Sequence, residues 1–287
     1  MTPASRLIAA LLLLGQFAPA QAGTPPTRSD IPYGPAPEQR FDLYAPPLSK
    51  EAPLILMVHG GAWRLGDKEM GRVVDNKVAR WVPRGIAFAS INYRMQPKAP
   101  PLEQARDVAR ALAAVQREAE NLGIDRDNIV LMGHSAGAHL IALLASRPEL
   151  RDEAGASPWR GTVLLDSGAL DVPAIMNARH LPLYDRAFGN NPADWLAASP
   201  YQQLQQATVP ILAICSSRRA RACEQAGRFV TKAQGLGTQA ALLPLDKTHG
   251  EINAQLGDEP AYTAEVERHL GNWSPAFAKR LRQGVPQ

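Results

Sequence analysis

The sequence predicts one α/β domain with a mostly parallel central sheet and helices on both faces. Three observations indicate this fold class. Short apolar runs alternate with helical patterns along the chain. One apolar run, ending at Val58, continues into a glycine-rich turn, and another, ending at Met132, continues through Ser135 into a helix. With 287 residues the chain is long enough to bury a full core in a single domain.

Residues 1–22 have the pattern of a signal peptide. Arg6 supplies a positive charge, residues 7–14 form an apolar run too short to span a bilayer permanently, and Ala20-Gln21-Ala22 forms a cleavage site. No cysteine lies near that site, so we expect no lipid anchor. The sequence therefore predicts a secreted or periplasmic protein that begins near Gly23.

The elements before Ser135 follow from hydrophobic patterning. Residues 23–39 are rich in Pro, Ser and Thr and predict an extended lead-in. Alternating or continuous apolar runs predict an antiparallel edge strand at 40–44 and buried strands at 53–58 and 85–92. A helix is expected to open at 66–69 with Asp67 as its N-cap, and an amphipathic helix is expected at 102–121.

The second half of the chain continues the alternation. The remaining strands are predicted at 128–132, 161–165, 209–214 and 240–245, and the remaining helices at 136–146, 224–234 and 262–270. Residues 170–206 are too long for a plain loop and contain four aromatic side chains. We therefore expect an insertion that packs over the carboxyl edge of the sheet and shapes a pocket. The α/β domain is predicted to span 40–273, followed by a tail at 274–287.

Composition excludes several classes of protein. Hydrophobic residues make up 45% and charged residues 20% of the chain, which is typical of a globular protein. The net charge is only +4 and the charges are interspersed, so a nucleic-acid partner is not expected. His134 and His139 are five positions apart rather than the four of a zinc-binding helix. We expect neither a metal nor a cofactor.

The chain contains two cysteines, Cys215 and Cys223. In an oxidising compartment a disulfide between them is the expected state, and two free thiols are the alternative. Closing so short a loop contributes about 2–3 kcal/mol, mostly by restricting the unfolded chain.

Ser135 is the candidate nucleophile because it lies in Gly133-His134-Ser135-Ala136-Gly137, between a predicted strand and a predicted helix. The nucleophile elbow, G-x-S-x-G, requires that context. The serine there adopts a strained backbone conformation, so the residues two positions away on each side must be small. A structural turn is the alternative.

A serine hydroxyl needs a base to remove its proton. His249 follows the last predicted strand, on what we predict to be a loop at the same sheet edge, and is the candidate base. A surface histidine is the alternative. His134, as the variable residue of the elbow, is expected to point away from the site, and His139 is expected to serve packing.

Acyl transfer also needs hydrogen-bond donors where negative charge develops on the carbonyl oxygen. One candidate is the amide of Ala136, directly after the nucleophile. The amides of Gly61 and Ala62, in the turn after the strand ending at Val58, are the others. Gly60 is expected to make the turn and His59 to brace it. A tight turn between a strand and a helix is the alternative.

Two motifs in this order carry a family resemblance: His59-Gly60-Gly61-Ala62-Trp63-Arg64-Leu65-Gly66-Asp67-Lys68 and Gly133 to Leu140. Together they resemble the α/β-hydrolase esterase/lipase family, which includes hormone-sensitive-lipase-like carboxylesterases, and they are also similar to kynurenine-formamidase-type hydrolases. The resemblance covers about residues 30–272, and Ile91-Asn92-Tyr93-Arg94 fits it. It implies an α/β-hydrolase fold and hydrolysis of carboxylic esters or related amides through an acyl-serine.

The sequence departs from that family at the acid of the triad. The family carries an Asp after the penultimate strand, whereas residues 215–223 here contain no acid and three arginines. The acid orients the histidine and stabilises its charged form, and unpaired arginines would oppose that. Asp166, after strand 161–165, is the favoured substitute, as in some lipases of this fold. Glu224, Asp171 or no acid at all are the alternatives, and Asp166 could instead cap the loop or pair with one of the arginines.

The sequence thus predicts a secreted carboxylesterase acting on a small-molecule ester, with Ser135, His249 and Asp166 as its catalytic residues. An arylformamidase-like amide hydrolase, with the same mechanism, is the second hypothesis. A catalytically weak domain of the same fold that binds a ligand is the third, because the expected acid is missing.

Overall fold

The computed structural model describes residues 23–47 and 49–283. The predicted signal peptide and its cleavage site lie outside these residues. Among the described residues, no helix is both long and apolar enough to cross a bilayer.

The core of the fold is an eight-stranded sheet in the order β1-β2-β4-β3-β5-β6-β7-β8. Its strands are β1 (Arg28–Pro32), β2 (Arg40–Tyr44), β3 (Ala52–Val58), β4 (Ala87–Ile91), β5 (Ile124–His134), β6 (Gly161–Leu165), β7 (Ile211–Ser216) and β8 (Ala240–Leu245). Strand β2 is antiparallel to β1 and β4. The six strands β3 to β8 are mutually parallel. The predicted mostly parallel sheet is confirmed.

Helices cover both faces of the sheet, as predicted. They are α1 (Gly71–Trp81), α2 (Pro101–Arg117), α3 (Ala119–Leu122), α4 (Ala136–Ser146), α5 (Pro148–Ala154), α6 (Val172–Met176), α7 (Pro182–Phe188), α8 (Pro192–Ala197), α9 (Pro200–Gln203), α10 (Ala220–Gly235), α11 (His249–Ala254), α12 (Pro260–Trp273) and α13 (Pro275–Arg282). Helices α2, α4 and α10 bury apolar side chains on one face, and α1, α12 and α13 do so on the other. Strands β3 and β4, covered on both sides, are buried along their whole length, which explains their continuous apolar runs.

The predicted insertion forms four short helices, α6 to α9, each beginning with a proline in its first turn. They pack over the carboxyl edge of the sheet: the ring of Phe188 lies 4.9 Å from that of Trp63, in the glycine-rich turn after β3. This segment therefore covers the edge where the candidate residues meet.

The structure corrects three local predictions. The first helix begins at Gly71, not at 66–69, and Asp67 does not cap it but accepts hydrogen bonds from the Glu69 amide at 2.8 Å and Asn92 Nδ2 at 2.9 Å. The lead-in at 23–39 contains β1, which pairs with β2, so β2 is not the edge strand. The tail at 274–287 contains α13, whose buried Phe277 packs in the core.

Candidate active site

Ser135 joins β5 to α4 with the backbone that a nucleophile elbow requires. Its φ is +56°, in the left-handed region that side chains disfavour. The Ser135 amide is tied to the Leu165 carbonyl at 2.9 Å. A Cβ at Gly137 would lie 2.2 Å from the Val58 carbonyl oxygen, so only glycine fits where α4 passes β3. The fold thus presents the half-exposed serine at the carboxyl edge of the sheet.

The glycine-rich turn after β3 lies directly against the serine. A Cβ at Gly60 would approach the Ser135 Cβ to 2.9 Å, so the turn requires glycine there to reach this close. Gly61, Ala62 and Trp63 all have positive φ. Among the residues that the structure describes, the amides of Gly61, Ala62 and Ala136 donate no hydrogen bond. Three backbone donors next to Ser135 are therefore available to a ligand.

His249 and Asp166 meet at the same edge although 83 positions separate them. His249 Nδ1 donates to Asp166 Oδ2 at 2.6 Å, and the side chain of Asp166 is fully buried. Because Nδ1 carries this proton, Nε2 of the neutral ring holds a lone pair and can accept a proton. Asp166 itself has a φ of +53°, immediately after β6.

Asp166 is held as a carboxylate. Burial alone would raise its pKa, but hydrogen bonds from His249 and the Ser216 amide, together with the charge of Arg219, lower the pKa to about 2. The Ser216 amide donates to Oδ1 at 3.0 Å, and Arg219 Nη1 donates to Oδ2 at 2.5 Å. The arginine-rich loop therefore pairs with the acid rather than standing unpaired beside the histidine.

Arg219 contacts both members of the His249–Asp166 pair. Its Nη1 also lies 2.9 Å from His249 Nδ1. His249 Nδ1 and Arg219 Nη1 both donate to Asp166 Oδ2. The short distance between the two nitrogens therefore reflects two donors that share one oxygen, and it is not a hydrogen bond between them. The guanidinium is one-third exposed and packs on the side of the pair that faces α6 and α7.

The other two candidate acids lie elsewhere. Asp171 caps α6 by accepting from the Ala174 amide at 3.2 Å and forms an ion pair with Arg228 at 3.0 Å. Glu224 lies in the first turns of α10 and lines a cavity beside Arg219. Of the three candidates, Asp166 is the one that contacts His249.

His134 differs from its expectation, because its ring packs on that of His249 with 4.5 Å between centroids. Its Nε2 donates to the His249 carbonyl at 3.0 Å, which fixes where α11 begins. Burial, and then the proximity of His249, lower the pKa of His134 to about 3, so the ring is neutral. His134 supports the candidate base, although we expected it to point away.

His139 packs as expected, deep in the domain. Its Nδ1 accepts from Trp63 Nε1 at 3.0 Å, and its Nε2 donates to the Ala198 carbonyl at 2.7 Å. Burial lowers the pKa of His139 to about 4. His59 stacks on Tyr93 and donates from Nδ1 to the Gly60 carbonyl at 2.8 Å, which braces the turn. Within the described ranges, no group of three or more His, Cys, Asp or Glu side chains is placed to hold a metal ion.

Cys215 and Cys223 form a disulfide, with their Cα atoms 5.1 Å apart. Cys215 lies near the carboxyl end of β7, and Cys223 lies in the first turn of α10. The bond closes the loop that carries Arg219. It therefore connects the strand beside Asp166 directly to the helix beside the cavity.

Two features of the site were missed at the sequence level. His249 is the first residue of α11 rather than part of a loop, and Thr248 and Glu251 form a reciprocal capping box around it. The T-x-x-E pattern at 248–251 is the signal that could have predicted this start. A pair between Asp166 and one of the three arginines was an alternative from the sequence, but Arg219 was not singled out, since the contact joins two loops 53 positions apart.

The chain is similar to proteins that are named as esterases. The BD-FAE family model matches residues 41–158. A probable isoprenylcysteine alpha-carbonyl methylesterase of Arabidopsis thaliana, ICMEL2, is 34% identical over 45% of this chain and 30% of its own length. Esterase LipQ of Mycobacterium tuberculosis is 31% identical over 65% of this chain and 47% of its own length. The chain thus spans less than half the length of these two relatives.

A solved structure supports the fold over nearly the whole chain. Esterase B of Lactobacillus rhamnosis superposes with a TM-score of 0.72, covers 91% of this chain and 90% of its own, and is 18% identical. At that identity the likeness concerns the fold alone. Taken with the strand order and the elbow at Ser135, it shows that the chain has an α/β-hydrolase fold.

Proposed function

We propose that this protein is a secreted serine hydrolase that cleaves carboxylic esters of small molecules through an acyl-serine intermediate. The observation that carries the proposal is the hydrogen bond of 2.6 Å between His249 Nδ1 and the buried carboxylate of Asp166, at the edge where Ser135 lies. An ionised acid on Nδ1 leaves Nε2 as the base that a serine nucleophile needs.

In the proposed reaction, Ser135 Oγ attacks the ester carbonyl while its proton passes to His249 Nε2. The amides of Gly61, Ala62 and Ala136 stabilise the oxyanion of the tetrahedral intermediate. The alcohol leaves with the proton from His249, and a water molecule then repeats the sequence to release the acid and restore Ser135. Each amide donor contributes about 10²–10³-fold to the rate of such reactions.

Labelling with a fluorophosphonate tests the nucleophile. The wild-type protein should label with one equivalent at Ser135, and Ser135→Ala should not label while its circular dichroism spectrum is unchanged. Ser217→Ala, which removes an exposed serine of the β7–α10 loop, is the matched control and should label normally. A folded wild-type protein that does not label would favour a domain that binds a ligand without turning it over.

Turnover identifies the bond that is cleaved. We expect phenyl acetate to be hydrolysed with a higher kcat/KM than N-formylkynurenine, because the two relatives described above are esterases by name. A reversed preference would assign the protein to the arylformamidase-like amide hydrolases, with the same residues in the same roles.

A further inference from the structure

A cavity of about 770 Å³ opens beside the candidate catalytic residues. It lies between α6, α7 and the start of α10, and Gly168 and Arg219 form part of its wall. Arg219 also contacts Asp166 and His249, so one guanidinium separates the cavity from the His249–Asp166 pair. The volume falls within the range of sites that bind small ligands.

The lining of this cavity is positively charged. It contains four arginines, at 179, 219, 221 and 228, and one carboxylate, Glu224. Two of these arginines form ion pairs: Arg219 with Asp166, and Arg228 with Asp171.

The other two arginines are not compensated in that way. Arg221 Nη1 donates to the backbone carbonyl of Arg179 at 3.1 Å, which brings the two residues together on one side of the cavity. Within residues 23–47 and 49–283, neither Arg179 nor Arg221 forms an ion pair. Among the charges of the lining, the two guanidiniums without an ion pair therefore outnumber the single carboxylate of Glu224.

Apart from His180 and Gln225, the rest of the lining is apolar. Ile175, Leu181 and Tyr184 contribute side chains, and Leu181 is 62% exposed at the surface. A ligand suited to these walls has an apolar chain or ring and an anionic end that accepts hydrogen bonds from guanidinium groups.

We propose that the cavity binds a carboxylate carried by the substrate, so that the preferred esters have an apolar acyl or alcohol part ending in a negative charge remote from the ester bond. This inference rests on the proposed function. Arg179 and Arg221 are the specificity-determining residues, and Glu224 limits how strongly the anion is held.

Matched ester pairs test this. On the acyl side, para-nitrophenyl hexanoate is compared with the para-nitrophenyl monoester of adipic acid, which has the same chain length. On the alcohol side, para-ethylphenyl acetate is compared with para-acetoxyphenylacetate. In one of the two pairs the charged ester should have a kcat/KM about tenfold above that of the neutral ester, as expected for one charge-assisted hydrogen bond. The pair that responds shows which part of the substrate enters the cavity.

Variants connect the preference to named side chains. Arg179→Ala/Arg221→Ala should bring the charged-to-neutral ratio of kcat/KM close to one, and Glu224→Gln should increase it. Arg126→Ala, which removes an exposed arginine near the amino end of β5, is the control for the loss of a positive charge and should leave the ratio unchanged. High salt should reduce the preference of the wild type.

The outcomes separate the inference from the proposed function. If neutral esters are hydrolysed but no pair shows a preference, or the preference survives in the double variant, the inference is wrong and the esterase proposal stands. If no ester is hydrolysed, calorimetric titration with adipate tests the anion site directly. Binding by the wild type that is lost in the double variant would support the site, and no binding by the wild type would reject it.

Discussion

At the scale of single residues, Asp166 carries the arrangement of the candidate site. Its buried carboxylate accepts hydrogen bonds from His249, the Ser216 amide and Arg219. These interactions outweigh the effect of burial and keep its pKa at about 2, so the group remains ionised at any pH at which the protein is expected to work. An ionised acceptor at this point selects the tautomer of His249 with a basic Nε2.

We predict that Asp166→Asn lowers kcat by about 10⁴-fold, because an amide can hold the imidazole in the wrong tautomer. Steady-state kinetics on a neutral aryl ester measures the change, and circular dichroism checks the fold. Asp171→Asn is the comparison, since that carboxylate caps α6 away from His249, and its kcat should remain within a few-fold of the wild type. Near-normal turnover by Asp166→Asn would assign the acid elsewhere.

At this scale, some residues of the site could be predicted from the sequence and others could not. Ser135 and the amides beside it follow from local patterns, because glycines at fixed offsets are required by close backbone contacts such as that of Gly137 with Val58. Asp166 remained one of several alternatives, since its contact with His249 spans 83 positions and depends on which loops the sheet order brings together. Arg219 and His134 were not recognised as neighbours of the pair for the same reason.

At the scale of elements, the β7–α10 connection determines one side of the site. The family's usual acid is missing from it, and it instead supplies Arg219 to Asp166, while the first turn of α10 supplies Arg221 to the cavity. The disulfide ties both ends of this connection together.

We predict that the Cys215→Ser/Cys223→Ser variant loses about 2–3 kcal/mol of stability, equivalent to a Tm lower by about 5–10 °C. Calorimetry with and without a reductant measures this. Reductant should lower the Tm of the wild type toward that of the variant and should leave the Tm of the variant unchanged. Equal Tm values for the wild type and the variant in the absence of reductant would show that the bond adds nothing to stability.

Most elements were predictable because each buries a recognisable face. The strands at 161–165 and 240–245 have the predicted bounds. The failures came where tertiary contacts decide. Strand β1 has no apolar pattern and is ordered by pairing with β2, and α1 begins at Gly71 because Asp67 is engaged by Asn92 instead of capping a helix.

At the scale of the whole molecule, buried histidines connect stability to pH, and His134 and His139 are the two with large shifts. Burial lowers the pKa of His134 to about 3 and that of His139 to about 4. In the unfolded chain both rings have a pKa near 6.5. Below that pH the unfolded chain binds protons that the folded protein does not, so the free energy of unfolding falls as the pH falls toward 4.

We predict a loss of about 2–3 kcal/mol per pH unit near pH 5, from two protons taken up on unfolding. Asp166 adds to the loss only below about pH 5, where the unfolded carboxyl begins to protonate. Urea titrations between pH 4 and 7 measure the slope. His139→Gln can still accept from Trp63 and donate to Ala198 without titrating, so its slope should be smaller than that of the wild type by about 1.4 kcal/mol per pH unit. An unchanged slope would mean that His139 charges in the folded protein.

The positive backbone φ angles around the site have a consequence for laboratory evolution. Among the described residues, five that are not glycine have positive φ, and four of them surround the site: Ala62, Trp63, Ser135 and Asp166. Such conformations cost about 1–3 kcal/mol each. A library selected for heat resistance alone would therefore enrich glycine or asparagine replacements at Ser135 and Asp166, whose side chains carry the proposed chemistry, and return inactive proteins. Stabilisation campaigns should hold these codons constant and mutate the opposite rim of the sheet.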